Sequence, residues 1–308
     1  MMKNNIYKEF QKDFPSRHFI RIGDNRHLSL YIGRDDEGRY SFDFRGEFSP
    51  VRIPGSNVIS VDQFKDNDII TLRFSLENSG LLEYFSTFCE DLLESTNIII
   101  DDNTAYKTLR SRFFSWRQLF KPNSGRMSEQ EVMGLIGELL FLKEQLIPKK
   151  GADLALDSWA GPEKLHKDFA SENEWFEVKT VSFGKDSVKI SSAEQLDGDT
   201  DGHLCIYILE RMSANFNGIK INLLVKDIIA GLESVQQREL FIDKLSLYGF
   251  DFSPEYDQLV FVVKEFAAYK VDSEDFPRIR KSILPDAISK ISYEIQLSKI
   301  KQFVESLN

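Results

Sequence analysis

The chain has 308 residues, 42% hydrophobic and 29% charged, which is room for two domains of ordinary globular composition. No run reaches the roughly 20 apolar residues of a membrane span, and the polar start Met1-Met2-Lys3-Asn4-Asn5 leads into no apolar signal segment, so a cytoplasmic protein is expected. A net charge of −10 argues against indiscriminate coating of nucleic acid, and two cysteines with four histidines disfavour a structural zinc site.

The first hundred residues read mostly as strands. Short alternating or apolar runs at 18–22, 27–32 and 40–44 are separated by turn-like Gly23-Asp24-Asn25 and by 33–38. A further strand is expected over 69–76, with Ile70, Leu72, Phe74 and Leu76 on one face. The period then changes: Leu81, Leu82, Phe85, Cys89, Leu92 and Leu93 fall on one side of a helix. Cys89 and Cys205 both lie in apolar segments and read as buried reduced thiols. Residues 97–103 read as a linker, which places a β-rich domain at 1–98 and a second domain at 99–308.

From 104 to 120 the pattern is helical, with Tyr106, Leu109, Phe113, Trp116 and Phe120 in one apolar stripe. Lys107, Arg110, Phe114, Arg117 and Lys121 form the adjacent stripe, supplemented by Arg112 and Arg126; from Lys107 to Arg126 there are six basic residues and no acidic one. That segment is either a solvated helix face or a contact for phosphates, which dominate nucleic-acid affinity. Lys264, Lys270, Arg278, Arg280 and Lys281 are a weaker candidate. Ser128-x-x-Glu131 is a capping box opening a helix that should end at Pro148. Strands are then expected at 154–159, 166–170, 175–183 and 188–191, a short helix near Ala193, and a buried strand at 203–210. Helices at 225–234 and 236–248, a strand at 259–269 and a closing amphipathic helix at 286–303 complete an α/β (α+β) arrangement around a mixed sheet.

The informative stretch runs from His166-Lys167-Asp168-Phe169 to Glu177-Val178-Lys179. With 171–174 as a hairpin loop, Ala170 pairs with Trp175 and Asp168 falls opposite Glu177. Lys179 projects from the same face as Glu177. Two carboxylates so placed repel unless water or a cation is between them, and a hard divalent cation would suit them. An exposed hairpin of mixed charges is the alternative. Glu138 sits in the apolar run 133–142, where a carboxylate is costly unless it reaches water, a partner or a metal. Gly134 and Gly137 would let that helix approach another backbone closely. Gln195 follows Ser192 by three residues and reads equally as a capping-box residue.

In their order, Gly137-Glu138, Lys167-Asp168, Glu177-Val178-Lys179 and Gln195 resemble the PD-(D/E)XK nuclease superfamily, and Trp159-Ala160-Gly161-Pro162 and the 190–196 segment extend the likeness to a bacterial family of PD-(D/E)XK motif proteins of restriction-like phage-defence operons. The departure is Lys167 where that pattern has proline. The resemblance implies a restriction-endonuclease-like core with a mixed sheet flanked by helices. It implies that Asp168, Glu177 and Glu138 face Mg²⁺ (or Mn²⁺ as a substitute), that Lys179 positions the attacking water, and that Gln195 places that water or a phosphate. The implied activity is hydrolysis of phosphodiester bonds in DNA, with operon-encoded ATPase or specificity subunits, or a second copy of the chain, as partners. A non-catalytic subunit that keeps the nuclease fold for DNA or protein binding is the competing reading.

Overall fold

The computed structural model describes residues 5–12, 14–120, 126–163, 166–198, 200–271 and 275–307. The chain divides into two units, Met1–Arg126 with Glu233–Pro254, and Met127–Leu232 with Glu255–Asn308. Among the described residues no helix is long and apolar enough to cross a membrane.

The first unit begins with a short helix α1 (Ile6–Phe10) and a sheet of β1 (Phe19–Arg21), β2 (Ser29–Arg34), β3 (Tyr40–Gly46), β4 (Ile59–Asp66) and β5 (Ile69–Leu76). The strand order is β1-β2-β3-β5-β4, antiparallel throughout. Its inner strands are buried on both faces: Ser41 to Phe44 of β3 are buried throughout, and β5 buries Thr71 and Ser75 as well as Leu72 and Phe74. Register sets Phe42 beside Phe74 and Phe44 beside Leu72, and all four are fully buried. Helices α2 (Leu82–Thr96) and α3 (Asp102–Trp116) supply the other layer. Phe88 and Phe113 meet Phe74 at ring-centroid distances of 5.6 and 4.9 Å. The stripe Tyr106, Leu109, Phe113, Trp116 and Phe120 is buried, as its spacing predicts.

The boundary expected at 98/99 is displaced. Helix α3 belongs to the first unit because its aromatic stripe completes that core, and the chain later returns with a helix at Val235–Tyr248. Asp91, buried on α2, accepts from Arg112 Nε at 2.7 Å, Trp116 Nε1 at 2.8 Å and Arg238 Nε at 2.8 Å. Arg112 is thus a buried ion-pair partner and not part of a basic surface stripe.

The second unit opens with α4 (Glu129–Phe141), whose capping box from Ser128 to Glu131 is present. The helix does not end at Pro148. A π-helical turn, Leu142–Leu146, precedes α5 (Ile147–Lys150), so the proline falls in the first turn of a fresh helix where its missing N–H costs nothing. Next come α6 (Ala152–Ser158), β6 (Phe169–Ala170), β7 (Glu174–Ser182), β8 (Ser187–Ile190) and β9 (Asp201–Met212). They are followed by α7 (Ile221–Gly231), β10 (Val260–Lys270), β11 (Tyr293–Gln296) and β12 (Val304–Glu305). The five-stranded sheet runs β12-β10-β9-β7-β6, with β7 parallel to β9 and the other pairs antiparallel. This is the mixed sheet of an α+β fold consistent with a restriction-endonuclease-like core.

Two elements differ from expectation. Residues 154–159 are not a strand: Leu154 is exposed while Ala155, Leu156 and Trp159 are buried, a helical spacing satisfied by α6. Residues 286–303 are not one helix. There β11 pairs with β8, and short 3-10 turns follow at Leu297–Lys299 and Lys301–Phe303. Tyr293, Ile295 and Leu297 also alternate, and the open edge of β8 selects that pattern over the helical one.

One face of the sheet packs Trp175, Val181, Leu204 and Ile206 with Val188, Ile190 and Leu196. The other face receives α4, where Phe141 lies 5.1 Å from Phe176. Gly137 makes the close approach possible, since a Cβ there would fall 2.4 Å from Thr180 Cγ2.

Candidate active site

The hairpin pairs as expected, Ala170 with Trp175 and Phe169 with Phe176. Strand β6 is only two residues long, so it leaves the edge of β7 open beyond Phe176. Asp168 lies one residue before β6, and its Oδ2 accepts the Val178 N–H at 2.8 Å. The Asp168 carbonyl in turn accepts the N–H groups of Ala160 and Gly161 at 2.8 and 2.9 Å. The carboxylate is therefore fixed at both ends of its own residue.

Glu177 and Lys179 share one face of β7, and Lys179 Nζ donates to Glu177 Oε1 at 2.5 Å. Glu177 is 1% exposed, and its Oε2 has no hydrogen-bond partner among the described residues. Burial pushes the Glu177 carboxyl up to about 8, the Asp168 charge adds to this, and Lys179 opposes it. Burial likewise raises Asp168 against the pull of Lys179. Burial lowers Lys179, but the Glu177 and Asp168 charges outweigh it and the ammonium ends above its ordinary value. Two carboxyls and one ammonium thus share a nearly dry site in which burial and mutual repulsion oppose ionising both carboxyls at once.

Glu138 reaches the site from α4. Its Oε2 accepts Trp159 Nε1 at 2.8 Å, and a Cβ at Gly161 would lie 2.4 Å from the same oxygen. It lies near enough to raise Lys179. Gln195 sits in a 3-10 turn, Ala193–Gln195, and its Oε1 accepts the Ser191 N–H at 2.7 Å. Ser192 makes no side-chain cap, so the reciprocal capping box is absent and the Gln195 side chain braces the turn through Ser191 only. No hydrogen bond links Gln195 to Asp168, Glu177 or Lys179 among the described residues.

The chemistry of the donor set fits a hard divalent cation at Asp168 and Glu177: two carboxylates, one with an unpartnered buried oxygen, suit an ion that keeps several waters. Among the described residues no three His, Cys, Asp or Glu side chains gather as a ligand cluster, so Glu138 stands beside the pair and does not complete a triad with it.

The basic residues are dispersed. Lys107, Arg110 and Arg117 lie in the first unit. Lys107 is exposed and Arg110 half-buried, while Arg117 stacks over Phe114 and donates to the Pro54 carbonyl at 3.2 Å. Arg126 is exposed at the end of that unit, and Lys121 lies outside the described residues. In the second unit Lys264 pairs with Glu210, while Arg278 donates to the Leu196 carbonyl at 2.8 Å and Lys281 pairs with Glu194, both beside Gln195. Lys167 is the residue that the motif did not single out. Its Nζ donates to the Glu194 and Gln195 carbonyls at 2.7 Å each, and burial brings it down to about 8. The available signal was its position, a cation directly before the motif aspartate.

The mixed sheet, with Asp168, Glu177 and Lys179 at the edge of β7, is consistent with a restriction-endonuclease-like core. The chain belongs to the family DUF4420, described as "Putative PD-(D/E)XK family member", whose model matches residues 4–298. No curated protein and no solved structure matches the chain.

Proposed function

We propose that the protein is a Mg²⁺-dependent DNA endonuclease acting through Asp168, Glu177 and Lys179. The observation that carries this reading is the buried Glu177 carboxylate, with an unpartnered oxygen, set between Asp168 and Lys179 on an open sheet edge. Asp168 and Glu177 would hold the ion, and Mg²⁺ or Mn²⁺ would supply Lewis-acid stabilisation of the charge that builds on the phosphate. Lys179, one of whose donors already meets Glu177, would use the others to orient an attacking water toward phosphorus. Glu138, already anchored by Trp159, would accept a proton or hydrogen bond from the water on the far side of Lys179. Gln195 has its oxygen occupied by Ser191, which leaves its amide nitrogen to donate to a phosphate oxygen.

The substrate surface around the site would draw on Arg278, Arg280 and Lys281 near Gln195; a separate phosphate-contacting role is proposed for Lys107, Arg110, Arg117, Lys121 and Arg126 of the first unit. A role in restriction or phage defence is proposed on the motif resemblance alone, and the acidic balance of the chain suits action with an ATPase or specificity subunit. Cutting both strands with one such site calls for two copies. A second reading is a non-catalytic DNA- or protein-binding subunit that keeps the nuclease fold.

The test is cleavage of supercoiled plasmid at low salt with Mg²⁺, Mn²⁺ or EDTA. Metal-dependent cutting that falls about 10²-fold or more in Lys179→Ala is the expected result. Folded protein that binds no Mg²⁺ and cuts nothing, alone or with the neighbouring gene products, would sink the catalytic reading in favour of the binding subunit.

A further inference from the structure

We infer that Lys167 is a positioning residue of this site: its ammonium clamps the segment carrying Asp168 to the turn carrying Gln195, with the Trp175 indole as third support. The inference rests on Asp168 and Glu177 being the working carboxylates. An ammonium has three donors and no acceptor. Those of Lys167 meet the Glu194 carbonyl at 2.7 Å, the Gln195 carbonyl at 2.7 Å and the face of Trp175, whose ring centroid is 3.5 Å away. All three directions are taken, so Lys167 holds the site together and does not itself meet a phosphate or take a proton.

The support under the clamp is rigid. Trp175 projects from the same face of β7 as Glu177 and Lys179. Its ring lies against two glycines: a Cβ at Gly198 would fall 2.6 Å from Trp175 Nε1, and one at Gly202 would fall 2.0 Å from Cζ2. The turn receives cations at three successive carbonyls, Glu194 and Gln195 from Lys167 and Leu196 from Arg278. The clamp therefore joins three stretches remote in sequence: 166–168, the start of β7 and 194–196. Charge-assisted bonds and a cation over an aromatic face both strengthen where water is scarce. The residue after Lys167 is Asp168, and the Val178 N–H bond it makes reports where its carboxylate stands.

Amide hydrogen exchange at Val178 tests this without metal or DNA. Asp168→Ala sets the rate of the released amide. Lys167→Met is expected to speed Val178 exchange about tenfold or more, while the Cys205 and Ile206 amides in the middle of β9 keep their rates. Lys167→Arg should restore most of the protection, because a guanidinium can span two carbonyls and stack on the indole. Unchanged exchange at Val178 in Lys167→Met overturns the inference, and so does equal acceleration across β7 and β9, which marks a merely global role. If Lys167→Met does not fold, Trp175→Phe keeps the lysine and shrinks its platform. A selective rise at Val178 then supports the clamp, and no change overturns it. Failure of DNA cleavage would leave these rates untouched, so the two readings fail separately.

Discussion

Glu177 carries most of the electrostatic strain of the site, and this has a consequence for stability. Its carboxyl titrates near 4.5 in an unfolded chain and at about 8 in the fold, so the folded protein binds the extra proton between those values. The stability linked to that proton is present at low pH and is lost as pH rises through about 8. Glu177→Gln, which is neutral throughout, is expected to match the wild type near pH 5 and to melt at least about 2 °C higher near pH 9 in the absence of metal. Thermal melts across that range check it; a variant that melts lower at pH 9 would mean that the Lys179 pairing outweighs burial. Mg²⁺ should stabilise the wild type more at the alkaline end, where both carboxylates are ionised, and this gain should vanish in Asp168→Ala. Spacing alone put Glu177 and Lys179 on one face, because residues two apart on a strand must share it; their roles came only with the family resemblance. Lys167 was not legible, because its partners are backbone carbonyls some 27 and 28 positions away.

At the scale of elements, α4 packs on β7 and carries Glu138, whose charge acts on Lys179. Gly137 permits that contact, and the structure makes its cost separable. Alanine there would gain helix propensity of about 1 kcal/mol but place its Cβ 2.4 Å from Thr180 Cγ2. Gly137→Ala is expected to lower stability by about 1 kcal/mol net, and adding Thr180→Ser, which removes the clashing methyl, should turn the same alanine into a stabilising change. Denaturant unfolding of the single and double variants reads both signs. The hairpin of β6 and β7 was legible down to its pairing because loop length fixes register. The strand expected at 154–159 and the helix expected at 286–303 were not, for a common reason. Short apolar runs satisfy both periods, and the choice fell to what each segment could pack against: the buried side of α6 in one case, the free edge of β8 in the other.

At the scale of the whole chain, the first unit is discontinuous, and this makes the 98/99 boundary a poor place to cut. A fragment 1–98 lacks Phe113 of the core and both Arg112 and Trp116, two partners of Asp91; the third, Arg238, lies in the later segment 233–254 of the same unit. A buried carboxylate stripped of its partners costs about 3–5 kcal/mol, a large share of the stability of so small a unit. Residues 1–98 expressed alone are expected to show no cooperative melt by circular dichroism, whereas 1–126 joined by a short linker to 233–254 should melt cooperatively. A folded 1–98 would show that the sheet and α2 form a sufficient core.

Local pattern by itself determined that a β-rich part comes first, that a mixed sheet follows, and that Asp168, Glu177 and Lys179 lie around one hairpin, because strand period and loop length act over a few residues. Only the tertiary structure decided that Asp168 reaches Val178 from beyond the end of β6, that Glu138 is anchored by Trp159, that Arg112 is buried, and that Lys167 grips the Gln195 turn. Each of those depends on groups brought together from distant stretches of chain, and the burial that sets their charges exists only once the sheet and its helices have closed over them.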